Sequence, residues 1–369
     1  MHAERFRGLV DATGPFVSVY FDDSHDTRDA EAQLDARLRD LRKHLEEQSI
    51  DAAAIQAIDA AVRAKHPPVG RSGRLLIARV DDRGSEVLLD EHLILPPVNT
   101  ELRVSELPWL VPVVEHGMLH TSYLLVAVDH TGADIWLHDG RARSETVEGS
   151  GYPVHKAHKA ETAGYGGPQG RVDEAVRKNL REVADRLTHV VDETGAGIVF
   201  VTGDARTELL DELPERVATR AVALRGGGRA AGTDQDEVHR EIGQEFLKRR
   251  LAAIDDAAQR FAAGRGTGLA VEGLADVTAA LRDGAVDTLI IGDLGESTVV
   301  ADHDQLALVG PDARTVSDLG GSPDRVLRAD EALPLLAVAI NAALVRTDER
   351  LSPADGIGAV LRYADTAGR

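Results

Sequence analysis

Two short apolar runs constrain what this chain can fold into. Residues 197–204, GIVFVTGD, and 285–293, AVDTLIIGD, hold their apolar residues in near-continuous blocks. A half-exposed strand alternates, so blocks this short read as fully buried strands. Buried strands need covering layers. Ahead of the first run, Ala175, Leu180, Val183, Leu187 and Val190 fall on one helical face; ahead of the second stands EGLADVTAALRDG, a helix closed by Gly284. Helix then strand, twice over, describes an α/β chain of the mixed-sheet (α+β) kind, with helices packed on the sheets. Aromatics make up only 4% of the residues, so Val, Leu, Ile and Ala must build the cores.

With 369 residues the chain has room for two or three domains. Three in series are expected. Residues 1–118 begin with the strand PFVSVYFD at 15–22 and a helix at 27–48 whose apolar face reads Ala32, Leu34, Leu38, Leu41 and Leu45. A second helix spans 51–64, two strands meet at the turn DDRG, and PWLVPVVEHG reads as an extended exit. Residues 119–232 open with a hairpin turning at His130-Thr131-Gly132, extended by RSETVEG. A helix at 171–193 follows, then GIVFVTGD, the short helix RTELLDELP and the strand RVATRAVAL. Residues 233–369 follow the break RGGGRAAG. They hold a long charged helix at 234–263, AVDTLIIGD, the apolar helix ALPLLAVAINAALV and the ending DGIGAVLRY.

The chain has no cysteine, which excludes disulfides, thiolate catalysis and Cys-based zinc sites. Nothing resembles a signal peptide or approaches the roughly 18 apolar residues of a membrane helix. A cytoplasmic protein with no membrane partner is therefore expected. The net charge of −20 argues against generic coating of a phosphate surface but not against one local basic contact. Residues 150–171, SGYPVHKAHKAETAGYGGPQGR, supply such a place: five glycines, two prolines, and His155, Lys156, His158, Lys159 and Arg171 against Glu161 alone.

Other candidate chemistry reads more simply. Asp129, Asp134 and Asp204 stand at strand ends, where carboxylates hold Mg²⁺ in nucleases, but DHTG and GDARTE are ordinary turn and cap sequences. GDLGES, residues 292–297, lacks the Gly-Lys-Ser/Thr ending of a phosphate loop, and GRGTG, residues 264–268, reads as a hinge. His155 and His158 alone make poor zinc ligands. No metal and no cofactor are expected.

Several stretches, taken in order, resemble the archaeal and eukaryotic class-I release factor and Pelota superfamily. They are LLVAVDHTGADIW, the basic glycine-rich loop leading into a long helix, IVFVTGDARTELLDEL, GLADVTAALRDGAVDTLIIGD and the tail GIGAVLRY. The resemblance covers residues 120–369 and implies release-factor-like middle and C-terminal domains. The N-terminal domain has no match to the stop-codon-reading motif. GPFVSVYFDDSHD and VDHTGAD are similar to the bacterial branch, which holds the Balon-like ribosome hibernation factors and their actinobacterial relatives. That branch implies a ribosome-binding factor in the A site of idle ribosomes. Its middle loop would reach the peptidyl-transferase centre, and its C-terminal domain would face elongation factor Tu or another translational GTPase.

Release factors carry Gly-Gly-Gln in the loop, where two glycines let the backbone approach the ester and the glutamine positions a water. The nearest equivalent here is Gly166-Gly167-Pro168-Gln169. The intervening proline moves the glutamine by about 3.5 Å, and roughly 1 Å already costs about a hundredfold. The expectation is binding without cleavage. His155, Lys156, His158, Lys159 and Arg171 would contact rRNA phosphates or bases; Tyr152 and Tyr165 would stack; Gly166, Gly167 and Gln169 would allow close approach. Two rival readings stand beside it: a peptidyl-tRNA hydrolase using Gly166, Gly167 and Gln169, and a non-ribosomal stress protein.

Overall fold

Phe16–Asp22 forms the first strand, β1, and six of its seven residues are buried. In the computed structural model, residues 3–25, 27, 29–65, 71–81, 84–93, 96–117, 122–138, 142–151, 168–229, 235–348 and 350–364 are described. They divide into two units, Met1–Leu119 with Phe246–Arg369, and His120–Glu245.

In the first unit a short helix α1 (Arg7–Val10) precedes β1. Helices α2 (Ala30–Glu47) and α3 (Ala52–Ala64) follow, then strands β2 (Gly73–Asp81), β3 (Gly84–Leu93) and β4 (Glu101–Ser105) and helix α4 (Val111–His116). The antiparallel sheet runs β3-β2-β1-β4. Alternation along β1 explains its burial: Val17, Val19 and Phe21 pack with α2 and α3, while Phe16 and Tyr20 join a core on the other face.

The buried face of α2 is Ala30, Leu34, Leu38, Leu41 and Leu45. Ala32, expected on that face, is exposed; two residues turn the helix about 200° away from Leu34. Asp51 caps α3 by accepting from the Ala54 N–H at 2.8 Å. PWLVPVVEHG is not extended. Its last part is α4, with Pro112 in the first turn, where a missing N–H breaks no helical bond.

The second unit holds strands β5 (Tyr123–Val128), β6 (Gly132–His138) and β7 (Ala142–Glu148), helix α5 (Pro168–Thr194), strand β8 (Ile198–Thr202), helices α6 (Arg206–Glu212) and α7 (Glu215–Ala218), and strand β9 (Ala221–Ala223). Its sheet order is β7-β6-β5-β8-β9. The β7–β6 and β6–β5 pairs are antiparallel, and the β5–β8 and β8–β9 pairs are parallel. Within GIVFVTGD the strand Ile198–Thr202 is buried throughout, as expected. Leu180, Val183, Leu187 and Val190 of α5 close the core over Leu124, Val126, Val199 and Val201. RVATRAVAL is not one strand: Pro214 stands before α7, and only three residues pair with β8.

Helix α8 (Gln235–Arg265) leads back towards the first unit's second segment, and the division between units falls within it. Strand β10 (Ala270–Glu272), helix α9 (Leu274–Arg282) and strands β11 (Val286–Ile291), β12 (Thr298–Asp302) and β13 (Val309–Gly310) follow. Then come helix α10 (Ala313–Asp318), strand β14 (Pro323–Arg328), helix α11 (Ala329–Ala339) and strands β15 (Ala343–Arg346) and β16 (Ile357–Leu361). They build two sheets, β10-β16-β11-β15 and β13-β12-β14. ALPLLAVAINAALV divides into α11 and β15, with a break at Asn341, whose φ is +57°.

Nearly every side of α11 is buried, because it packs within its own segment and also against α1 and α4 of the N-terminal one. Phe6, Leu9, Phe16, Leu110 and Val113 thus share a core with Leu333, Leu336 and Leu344. Charges rim the contact. Arg103 donates to Asp330 at 2.7 Å and lies 3.7 Å over the Trp109 ring, and Arg346 reaches Glu115 at 3.3 Å.

Candidate functional site

The parallel strands β5, β8 and β9 end together at one end of the second unit's sheet, the end where open α/β sheets place their ligands. Four connections leave from there: the β5–β6 turn and the residues after β7, after β8 and after β9.

The turn is built on Asp129. Its carboxylate accepts the Thr131 N–H at 2.7 Å, the Thr131 hydroxyl at 2.5 Å and the Gly132 N–H at 3.0 Å. Arg229, at the end of the glycine run after β9, reaches into the same turn. Its guanidinium donates to Asp129 and Thr131 at 3.0 Å each and to Asp134 at 3.2 Å. Burial pushes the Asp129 carboxyl up, but the Thr131 hydroxyl and N–H and the Arg229 charge outweigh it and hold the group below the usual carboxylate range. A guanidinium therefore joins Asp129 to Asp134, while Asp204 is exposed. Among the described residues no group of three or more His, Cys, Asp or Glu is placed to hold a metal ion.

The start of the glycine-rich loop is fastened to α5. The Ser150 N–H and hydroxyl both donate to Glu182, at 2.8 and 2.5 Å, and lower the Glu182 pKa. The Gly151 N–H donates to Asn179 Oδ1 at 2.6 Å. Asn179 Nδ2 donates in turn to the carbonyls of His130, at 2.9 Å, and Gly151, at 3.3 Å. Asn179 is 1% exposed. The chain passes so close that a Cβ at Gly149 would stand 2.2 Å from Asn179, and one at Gly151 would stand 2.4 Å from the Ala175 carbonyl. Glycine is required at both places for approach rather than for turning.

The expected contact residues separate into two groups. Tyr152, His155, Lys156, His158, Lys159, Tyr165, Gly166 and Gly167 lie outside the described residues. Gln169 and Arg171 were expected in the loop but belong to the first turn of α5, which starts at Pro168 rather than at residue 171. Proline explains the earlier start, because its fixed φ suits the first helical position. Sequence reasoning missed Asn179, Glu182 and Arg229. A signal existed for Asn179: the stripe Val172, Ala175, Val183 has a polar residue where an apolar one belongs. None existed for Arg229, whose partners lie 95–100 residues away.

Residues 122–267, which contain this arrangement, match the model of bacterial archaeo-eukaryotic release factor family 2. Uncharacterized protein Rv2629 of Mycobacterium tuberculosis (strain ATCC 25618 / H37Rv) is 50% identical over 371 residues, 99% of this chain and 98% of its own. The chain belongs to the bacterial archaeo-eukaryotic release factors. Among solved structures, archaeal Pelota in a ribosome-bound model with ABCE1 is 12% identical, with a TM-score of 0.41 over 98% of this chain and 94% of that one. Archaeoglobus fulgidus Pelota is 15% identical, with a TM-score of 0.35 over 79% and 84%. Scores this low say nothing about function. The glycine-rich stretch 150–171 and the residues that anchor its start, Asn179 and Glu182, lie inside the matched region. Among the described residues no helix is long and apolar enough to cross a membrane.

Proposed function

We propose that the protein is a ribosome-binding translation factor of the Balon-like hibernation type, occupying the A site of idle ribosomes. The observation that carries this reading is the family match over residues 122–267, the segment that holds the basic glycine-rich loop and its anchorage to α5. Lys156, Lys159 and Arg171 supply the positive charge that an otherwise acidic chain needs to meet rRNA. His155, His158, Tyr152 and Tyr165 supply stacking faces. In this reading the loop reaches the peptidyl-transferase centre and binds without cleaving. A glutamine in the first turn of a helix, next to a proline, has less freedom than one at a glycine tip, and this supports binding over hydrolysis. Residues 233–369 would meet elongation factor Tu or another translational GTPase, and their acidity suits a protein partner better than RNA.

The test is sedimentation of the purified protein with vacant ribosomes, with and without elongation factor Tu, at two salt concentrations. Salt-sensitive co-migration is expected, weakened and flattened in its salt dependence by Lys156→Ala with Lys159→Ala. Peptidyl-tRNA cleavage that disappears in Gln169→Ala would replace this reading with a hydrolase. Absence from ribosomes in every condition would overturn it in favour of a non-ribosomal role.

A further inference from the structure

We propose that Asn179 is a positioning residue for the 150–171 loop, acting through the backbone of Gly151 rather than by touching a ligand. The proposal rests on the RNA-binding reading of that loop. Three observations carry it.

First, Asn179 spends its amide outside its own helix. Its three hydrogen bonds go to His130 and Gly151, on two separate connections. A buried amide in place of an aliphatic residue forgoes apolar burial and demands near-complete pairing, and this one is paired at both its oxygen and its nitrogen. Second, the contact is made at backbone distance, since a side chain at Gly149 or Gly151 would collide with Asn179 or Ala175. Third, the place of the contact sets a geometry. Gly151 lies against Ala175 and Asn179, seven to eleven residues into a helix that begins at Pro168. At 1.5 Å per residue, the chain leaves beside α5 about 10–16 Å along its axis from where it re-enters. Without Asn179 the side-chain and turn contacts left at the departure point, among the described residues, are those of Glu182, which is half-buried, and the Gly149 N–H bond to the Thr131 carbonyl at 2.8 Å.

Asn179 thus fixes where the loop starts and in which direction. A loop whose contacts fit one surface loses some of them when its base is released, although no contacting residue has changed.

The experiment uses the full chain as wild type, Asn179→Ala, Asn179→Asp and Leu187→Ala. Leu187 is fully buried in the α5 core, distant in sequence from the loop base, and serves as a control for destabilisation. Three quantities are read: the thermal midpoint, the exchange rate of the Gly151 amide, and affinity for vacant ribosomes as a function of salt. Asn179→Ala should speed Gly151 exchange by about tenfold or more. It should also weaken ribosome binding by about tenfold and reduce the salt slope by roughly one. Asn179→Asp keeps the acceptor for Gly151 but loses both donated bonds, and should fall between. Leu187→Ala should lower the thermal midpoint at least as far while keeping the wild-type salt slope. Wild-type affinity and slope in Asn179→Ala would overturn the proposal, and so would an equal loss in Leu187→Ala. If the wild type does not bind ribosomes, the RNA reading fails and Gly151 exchange decides alone. Faster exchange in Asn179→Ala then upholds the positioning role, and unchanged exchange ends it.

Discussion

Asp23 has no exposed surface and shares one guanidinium with Asp90. Arg74, also fully buried, donates to the carbonyls of Ala61, Val62 and Lys65 at the end of α3, where positive charge suits the helix dipole. It meets Asp90 through two bonds, at 2.8 and 2.9 Å, and leaves Asp23 a single contact of 3.4 Å. Burial therefore dominates, and the Asp23 carboxyl is pushed up to about 6 although Arg74 pulls the other way. The folded pKa lies above the unfolded one, so the folded state holds this proton more tightly. The stabilisation is complete below about pH 4 and is lost as pH rises through about 6, and its size is on the order of 2–3 kcal/mol. His25 and His92 lie beside Asp23, so the signal is read as the difference between two proteins that share them. Relative to Asp23→Asn, the wild type should lose that stability between pH 4 and 7 in paired denaturation curves. Parallel curves would show that Asp23 is not the titrating group.

Among the elements, two glycines with similar backbones make different demands. Gly284, after α9, has φ +64° and open space where a Cβ would point. Gly356, before β16, has φ +71°, and its Cβ would stand 2.0 Å from the Asp293 carbonyl. The Gly292 N–H also donates to the Gly356 carbonyl at 2.8 Å, so GDLGES and the tail DGIG support each other. Gly284→Ala should cost about 1–2 kcal/mol, the left-handed penalty alone. Gly356→Ala should cost about 3 kcal/mol or more, because steric displacement of a sheet terminus is added. Urea titration of the two variants checks the order, and equal losses would mean that the loop yields. The sequence marked Gly284 as a helix end and did not single out Gly356, whose demand comes from the packed strand ends.

For the whole molecule, the consequential contact joins residues far apart in sequence. The N-terminal sheet and the C-terminal α11 share one apolar core within the first unit, while residues 120–245 form a unit of their own. A core of this kind unfolds as one body if its two segments are cooperative. Leu333→Ala, at a fully buried position in α11, should cost about 2–5 kcal/mol. Hydrogen exchange should then show β1 and β11 losing protection together. Loss confined to the C-terminal segment would show that the two fold separately.

The sequence by itself determined the kinds of element and most of their order. Apolar blocks and helical stripes are local, and the hairpin at His130–Gly132, the buried strands β8 and β11 and the helices α2, α3, α5, α8 and α9 follow from them. It also marked the 150–171 loop, because glycine and basic residues there depart from an acidic chain. Tertiary structure decided the rest. VPVVEH and the end of ALPLLAVAINAALV are apolar enough for helix or strand, and their neighbours chose between the two. Arg74, Arg229 and Asn179 owe their roles to partners 9 to 100 residues away, a distance that no local pattern encodes. The shared core of the two chain ends is of the same kind: each segment shows an apolar face, and only folding shows what covers it.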